Sequence, residues 1–278
     1  MKIIFSRKGY DTTNGGFPSP VFPDGTCYSL PIPGKYNDKT YADLEFVYNG
    51  DPIQKICNDL TNFRIKINGK TKHCDYFNDK FRCHQDPCLI DDYFVLGQRG
   101  SALGHLVKKQ IKEGDIFLFY GLFQKVKKDK GKWIYVEKPF HLIYAALKIE
   151  HIIFFPEQDI TKYPFLKTHP HFDKNFLKKY PKNGFFFGKS FRFFKFLRTR
   201  VLTDIEHYKG VSFWKLPINF DFAKYISFFI KKVEIRDDKY SYFSHKGYGQ
   251  EFVLNTEKMT EIEKKSINDF IESIYLDT

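Results

Sequence analysis

The segment that decides the fold is residues 96–123, LGQRGSALGHLVKKQIKEGDIFLFYGLF. It begins with a turn of small residues, continues into a short helix that carries His105, and reaches the apolar run 116–123 through a Gly-Asp turn. An apolar run without polar alternation is typical of a strand that is covered on both faces. The segment therefore predicts a buried strand at the centre of the fold, with the turn and the helix beside it.

The small-residue turn before this strand is the first candidate binding site. Its glycines let a backbone approach a ligand closely, because they have no Cβ. Hydrogen-bond donors stand beside them on the side chains of Gln98, Arg99 and His105. The pattern predicts a site for a nucleotide-type or nucleic-acid ligand, but it does not identify a reaction.

The composition indicates a globular protein with a sizeable core, since 42% of the 278 residues are hydrophobic and 28% are charged. No stretch approaches the roughly 18 consecutive apolar residues of a membrane span. The apolar run at the start is also too short for a signal peptide. We therefore expect a cytoplasmic protein without a membrane partner. Because no composition break indicates a linker, we expect one domain over residues 1–278.

The charge balance favours an anionic partner. The chain has 45 Lys and Arg against 33 Asp and Glu, a formal net charge of +12, which attracts polyanions such as DNA at long range. Lys, Phe, Ile, Tyr and Asn are all abundant, and an A/T-rich coding sequence would explain the same composition. The charge therefore favours nucleic acid as a partner without deciding the question.

Residues 184–203 combine aromatic rings with basic side chains. A single-stranded nucleic acid could stack its bases on such rings and place its phosphates on the cations. These cations are Lys189, Arg192, Lys195, Arg198 and Arg200. A pair of amphipathic strands with basic residues facing solvent would produce the same pattern, and we favour that interpretation slightly.

Five cysteines, an odd number, argue against a disulfide framework. Cys74, Cys83 and Cys88 lie in one segment with His73 and His84, so a zinc site can be considered. Their spacing does not match the paired ligands of structural zinc sites. Free buried thiols are the preferred interpretation, and the sequence predicts no metal site and identifies no cofactor.

The first strand, residues 2–6, runs into a loop with the ingredients of an anion-binding site. Glycines free backbone NH groups there, and two cations stand beside them. The candidate residues are Ser6, Arg7, Lys8, Gly9, Asp11, Gly15 and Gly16. The loop is neither a Walker motif nor GxGxxG, and a structural turn explains it equally well.

Two histidine pairs indicate further chemistry. His84 and Asp86 lie two residues apart before Pro87, where the backbone is extended, so both side chains can share a face. We favour an acid–base or ligand-orienting pair over a surface histidine with a turn-capping aspartate. His169 and His171 are spaced in the same way and could hold a phosphate or, as a minority interpretation, a metal ion.

Local patterns predict two helices and one charged loop. Residues 52–60 place Ile53, Ile56, Cys57 and Leu60 on one helical face. Thr260 and Glu263 form the pattern of a capping box before an amphipathic carboxy-terminal helix, whose apolar face includes Ile262 and continues to residue 274. The basic run 125–132 is predicted to be a solvated hairpin tip.

Several segments in order resemble one known family. They are SRKGYDTTNGGFPSPVFPDG, SLPIP, HQDP, LGQRGSALGHL, EGDIFLFYGLF, HPH, WKLP and GQEFVL. Together they resemble the nucleotide modification associated domain 3 family of bacterial and phage proteins, across essentially the whole chain. Members of that family are found with DNA base-modification and phage-conflict genes, so the resemblance implies a role in handling nucleotides or modified bases.

The resemblance draws attention to the anion-loop residues and both histidine pairs, and also to Gln250 and Glu251 at the mouth of a buried strand. Two positions depart from the pattern that it implies. Cys88 stands where an acidic residue is expected, and Arg99 stands where a small residue is expected. The first departure removes one carboxylate and weakens the case for a metal-centred mechanism.

The fold class expected from these observations is α+β. We predict a strongly bent mixed sheet that is partly barrel-like, with peripheral helices and a carboxy-terminal amphipathic helix. A Gly-Asp turn followed by an apolar strand is similar to the core of PUA, ASCH and EVE-type domains, which is an analogy of fold only.

The predicted function is base or nucleotide handling at a polar cleft. Arg7, Lys8 and the loop glycines would hold phosphate, and Arg99 and Gln250 would contact the base or sugar. Proton transfer would fall to the carboxylates and imidazoles of Asp11, His84, Asp86 and His105. Whether the protein is an enzyme stays open, because a non-catalytic binder of a modified base or of a nucleotide signal in phage–host conflict would need the same cleft.

Overall fold

Strands dominate the computed structural model, which describes residues 1–35, 39–227, 233–236, 239–244 and 251–276. The strands are β1 (Lys2–Arg7), β2 (Ser19–Val21), β3 (Ile32–Pro33), β4 (Val47–Tyr48), β5 (Asp51–Pro52), β6 (Arg64–Ile67), β7 (Lys70–His73), β8 (Cys83–His84), β9 (Cys88–Ile90), β10 (Tyr93–Arg99), β11 (Ile116–Asp129), β12 (Lys132–Tyr135), β13 (Phe140–Lys148), β14 (His151–Phe155), β15 (Asn183–Gly188), β16 (Phe191–Phe193), β17 (Phe213–Leu216), β18 (Glu234–Arg236), β19 (Tyr240–Ser244) and β20 (Glu251–Asn255). The α-helices are α1 (Ile53–Thr61), α2 (Gly100–Lys108), α3 (Lys174–Lys179) and α4 (Glu261–Tyr275). The predicted α+β class is confirmed.

The main sheet is mixed, as predicted. Its strands lie in the order β16-β13-β11-β1-β20, and β2 and β12 also pair with β11. Strand β11 is parallel to β1 and antiparallel to β13. The sheets among the described residues are not closed barrels, so the barrel-like, PUA-type part of the prediction is not confirmed.

Strand β11 is central because both of its faces are buried. Leu118 and Tyr120 pack on one face, in a cluster that also contains Trp214 from β17. Phe117 and Phe119 pack on the opposite face, in a second cluster. Neighbouring side chains of a strand point to opposite faces, so a run that is apolar at every position satisfies both clusters.

The charged run after this strand is not a loop. Strand β11 continues to Asp129 and pairs with β12, leaving a turn at Lys130 and Gly131. Val126 and Trp133 are buried in a third cluster with residues of α1, and this packing holds the arms of the hairpin in place. The prediction of a loop over 125–132 was therefore wrong, because Lys127 and Lys128 are exposed on a strand whose Val126 side chain is buried.

A second, four-stranded sheet has the order β14-β15-β10-β9. Phe185, Phe186 and Phe187 of β15 are each at most 1% exposed, so these rings belong to the core. Strand β10 ends at Arg99, and α2 begins at the next residue. The sheet thereby brings the predicted small-residue turn to the edge of the main sheet.

The basic side chains of residues 184–203 have structural contacts. Arg200 is 1% exposed and donates to the carbonyl oxygens of Lys195, Ile274 and Leu276 at 2.7–2.8 Å. Arg198 forms an ion pair with Glu206 at 3.0 Å. These contacts favour the structural interpretation of residues 184–203. Arg200 in particular bonds the carbonyl oxygens at the end of the carboxy-terminal helix.

Both predicted helices are present. The predicted face of α1 is buried, and α4 has the predicted capping box between Thr260 and Glu263. Ile262 is 80% exposed, so its assignment to the buried face of α4 was wrong. It lies in the first turn, before the helix reaches the core through Ile267 and Phe270. No helix in the described ranges has the length and apolar composition needed to cross a membrane.

The capping box predicts a pH dependence of stability. The NH of Thr260 and the hydroxyl of Tyr225 donate to Glu263, and these hydrogen bonds lower its pKa from 4.5 to about 2. A depressed pKa stabilises the folded state above the pKa of the unfolded state. We expect the stability advantage of the wild type over Glu263→Gln to be complete above pH 4.5 and to disappear as the pH falls towards about 2.

Urea unfolding of both proteins across this pH range measures the difference. Glu261→Gln is the matched control, because Glu261 lies in the same first turn and outside the capping box. A constant difference between wild type and Glu263→Gln at every pH would contradict the prediction.

Candidate functional site

A cleft of about 770 Å³ opens where the end of β1, the end of β10 and the start of α2 meet. It gathers most of the residues that the sequence singled out from distant parts of the chain. The predicted residues that line it are Arg7, Lys8, Gly9, Asp11, His84, Asp86, Gln98, Arg99, His105, His171 and Glu251.

The other predicted residues lie elsewhere. Ser6 is buried behind the cleft, where its hydroxyl donates to Glu251 Oε1 at 3.2 Å. The NH groups of Gly15 and Gly16 donate to backbone carbonyl oxygens at 2.8 Å, so they shape a turn and are not directed to a ligand. His169 is buried beneath the lining, and Gln250 lies outside the described residues.

Asp11 also has a structural partner set. Its Oδ1 accepts hydrogen bonds from the NH groups of Thr13 and Asn14 at 2.7 and 2.6 Å. This is an Asx turn, in which the side-chain oxygen of an aspartate accepts the NH that a carbonyl oxygen accepts in an ordinary backbone turn. The side chain therefore organises the loop at the cleft, while its proposed role in proton transfer stays a prediction.

Glu251 organises one wall of the cleft. Its side chain is 1% exposed, and Oε1 lies 3.4 Å from Lys8 Nζ and accepts a hydrogen bond from Gln98 Nε2. Lys8 is itself almost buried, so the two charges compensate each other in a low-dielectric environment. The network joins β1, β10 and β20, and it fixes the position of the lysine that faces the cleft.

The floor of the cleft carries a cluster of imidazoles around one carboxylate. Asp86 Oδ2 lies 3.6 Å from His171 Nε2 and 3.9 Å from His84 Nε2, and the two Nε2 atoms are 3.3 Å apart. His169 Nε2 lies 3.4 Å from the other carboxylate oxygen, Asp86 Oδ1. The two histidine pairs that the sequence predicted separately thus form a single group.

Burial controls protonation in this cluster. Burial lowers the pKa of His84 from 6.5 to about 4 and lowers that of His171 well below its usual value. Burial alone would raise the pKa of Asp86, but the nearby side chains of His169, His171 and Lys8 outweigh it and hold the pKa well below the ordinary value. The cluster is therefore one carboxylate faced by neutral imidazoles of His84 and His171. The third histidine differs, because burial alone would lower its pKa but Cys88 and Asp86 outweigh burial and raise the pKa of His169 to about 10.

His105 lies on α2 and also lines the cleft. Its Nε2 is 3.0 Å from Ser227 Oγ, which also accepts the NH of Val253. Burial, and then the positive charge of Lys109, lower its pKa. The imidazole is therefore neutral at pH 7, which is the form that a general base requires.

One wall of the cleft combines a cation with aromatic rings. The guanidinium of Arg99 lies 3.6 Å from the ring centroid of Tyr180 and 5.5 Å from that of Phe176. Both rings line the cleft, and the sequence interpretation missed them. The sequence around them indicated a short helix, α3, whose first turn is capped by the side chain of Asp173. It gave no sign that Phe176 lies near Arg99 at the end of β10.

The cysteines do not form the zinc site that was considered. All five are free, and Cys57, Cys74 and Cys83 are buried. Among the described residues, the groups with the separations of metal ligands contain no cysteine. Burial raises the pKa of Cys83 to about 12, which makes it an unreactive core thiol.

Comparisons with known proteins agree with the resemblance of the motifs. Searches among curated proteins and among solved structures find no significant match. The family model described as nucleotide modification associated domain 3 matches residues 2–255, which include every residue of the cleft. The chain therefore belongs to the nucleotide modification associated domain 3 family.

Proposed function

We propose that the cleft binds a nucleotide, either free or within a nucleic acid, and that the protein acts on its base. The observation that carries the proposal is the Arg99–Tyr180 stack, which lies in a cation-lined cleft of a chain from a family associated with nucleotide modification. Aromatic rings and guanidinium planes are the surfaces on which unstacked bases bind.

The charges of the cleft fit a phosphate-bearing ligand. Arg7, Lys35 and Lys179 line it together with Arg99. Among the acids of the lining, Glu251 is paired with Lys8 and Asp11 with backbone NH groups. Arginine suits phosphate because its planar fork donates two parallel hydrogen bonds. In this arrangement the base would stack beside Tyr180, on the face of the Arg99 guanidinium that points away from the ring, and the phosphate would lie towards Arg7.

Binding is tested by substituting the stacking arginine. Arg99→Ala is expected to weaken binding of nucleoside monophosphates and short single-stranded oligonucleotides about 10-fold or more, because stacking contributes about 1–3 kcal/mol per base. Isothermal titration calorimetry at fixed salt measures the change. Arg198→Ala is the matched control, since it removes the same charge from an exposed ion pair outside the cleft.

Equal losses in both variants would mean that binding reflects net charge alone and would contradict the site. Ligand chemistry provides the control for base identity, because a stacking site loses affinity for abasic sugar phosphates. Undiminished binding of ribose phosphate would argue against stacking at Tyr180.

The proposed activity is modification of the bound base, with His105 as the acid–base residue. Incubation with nucleotide and oligonucleotide pools, followed by mass spectrometry, tests for an altered base. His105→Gln should abolish the alteration while retaining the ligand. A ligand that is retained but unchanged by the wild type would instead support the second candidate, a non-catalytic binder of a modified base or nucleotide signal.

A further inference from the structure

We propose that His84, Asp86 and His171 form a binding site for one divalent transition-metal ion at the floor of the cleft. The site is built from three segments of the chain: β8, the loop after it, and the 3-10 turn Pro170–Phe172. The inference rests on the positions of these side chains and does not depend on nucleotide binding.

The first support is the geometry of the three ligand atoms. His84 Nε2, His171 Nε2 and Asp86 Oδ2 are separated by 3.3, 3.6 and 3.9 Å. A point equidistant from three atoms with these separations lies about 2.1 Å from each, which is the length of a zinc–nitrogen or zinc–oxygen bond. One ion can therefore reach all three ligand atoms at bonding distance.

The second support is the tautomer of His171. Asn183 donates through Nδ2 to the carbonyl oxygen of Tyr180, so its Oδ1 is the atom that faces His171 Nδ1 at 3.0 Å. Nδ1 must then carry the proton, and the lone pair of Nε2 points into the cluster. Metal-binding histidines are commonly oriented by such an acceptor on the other ring nitrogen.

The third support is the environment of Asp86. Its Oδ1 accepts the NH of Gly97 at 2.9 Å, which leaves Oδ2 directed to the two imidazoles. His169 accepts the NH of His171 at Nδ1, and its Nε2 lies 3.4 Å from Oδ1. That nitrogen is buried and makes no well-formed hydrogen bond within the described part of the chain. These contacts hold Oδ1, so Oδ2 is the carboxylate atom that faces His84 and His171.

Two imidazoles and one carboxylate are a ligand set for zinc or ferrous iron rather than for magnesium or calcium, which prefer oxygen ligands. Three protein ligands also leave coordination positions for water or for an oxygen of a substrate. With His84 and Asp86 as ligands, acid–base chemistry in the cleft would be left to His105.

The other group with suitable separations is Asp204, Glu206 and His207, where Asp204 Oδ2 is also buried without a hydrogen bond within the described residues. Its two remaining members are nevertheless less suitable as ligands. Glu206 is engaged in ion pairs with Arg198 and Lys215, and His207 is 67% exposed. His207 therefore provides a matched control, because it is also a histidine beside an aspartate.

The test uses protein stripped with a chelator and then dialysed against Zn²⁺ or Co²⁺. We expect one ion per chain in the wild type and in His207→Ala. Asp86→Asn and His171→Ala should bind about 100-fold more weakly or not at all, and Asn183→Leu about 10- to 100-fold more weakly through loss of the orienting contact. The Co²⁺ absorption spectrum reports the coordination directly, and thermal unfolding of the stripped proteins shows whether each variant is folded.

The proposal would be overturned if the two single variants, Asp86→Asn and His171→Ala, both fold and both bind the metal ion as tightly as the wild type does. Failure of the folded wild type to retain either ion would do the same. Nucleotide affinity of the stripped wild type tests the proposed function separately, so that either idea can fail without the other.

Discussion

Replacing Glu251 by glutamine is expected to lower the free energy of unfolding by about 3 kcal/mol, because it leaves the buried ammonium of Lys8 without its charge partner. The two side chains are only 1% and 8% exposed and lie 3.4 Å apart. Removing one member of a buried ion pair costs more than the pair contributes, since the remaining charge cannot recover its hydration. Urea unfolding at neutral pH measures the loss.

A matched control is available near the end of the same strand. Glu257→Gln makes the same change at a side chain that is 43% exposed, where ion pairs with Met1, Lys2 and Lys112 span 3.5–3.9 Å. Exposed pairs contribute about 1 kcal/mol or less, so this variant should remain close to the wild type.

A double-mutant cycle identifies the cause of the loss. Lys8→Met in the background of Glu251→Gln removes the uncompensated charge, so the second substitution should recover part of the stability. Additive losses for the two substitutions would show that the ion pair does not carry the effect.

The second large effect is expected from Gly97→Ala. The added methyl carbon would lie 2.6 Å from His169 Cε1 and 2.7 Å from His171 Nδ1, which is closer than nonbonded atoms approach. Gly97 has no positive φ, so the expected effect is purely steric. The alanine must displace both imidazoles and break the contact of His171 with Asn183. We expect Zn²⁺ affinity to fall about 100-fold and stability to fall by about 1–3 kcal/mol.

Gly104→Ala is the control for this substitution. Gly104 lies in α2, and nothing lies within 4 Å of an added Cβ. Alanine in a helix is favoured over glycine by about 0.5–1 kcal/mol, so the control should be neutral or more stable. Unchanged metal affinity and stability in Gly97→Ala would mean that the imidazoles are not packed against this strand as the structure has them.

Local patterns predicted the elements in which apolar or capping residues recur at a regular spacing in the sequence. Helix α1, the capping box of α4 and the apolar run of β11 were predictable, because each depends on residues within one or two turns of one another. The strand from Lys125 to Asp129 was not, since burial of Val126 on α1 outweighs the lysines around it. The prediction that Ile262 is buried was wrong for a different reason. It lies in the first turn of α4, before the part of the helix that packs on the core, so its side chain is exposed to solvent.

For the candidate site as well, the sequence indicated the residues but not their arrangement in space. The types of its residues were readable, and the sequence indicated His84, Asp86, Arg99 and His171 as residues of interest. Their meeting at the floor of the cleft depends on contacts between residues 85 or more positions apart, such as that of the Asp86 carboxylate with His171. Tyr180 was missed altogether, because its role arises from Arg99 lying over its ring.

The sequence by itself determined the family, the α+β class, the central strand and the residue types available for chemistry, since these follow from composition, order and short-range periodicity. Only the tertiary structure decided that His84, His169 and His171 meet around the carboxylate of Asp86, and that the NH groups of Gly15 and Gly16 donate to backbone carbonyls. The physical reason is that strand pairing, such as β1 beside β11 and β10 beside β15, sets long-range distances that no local pattern encodes.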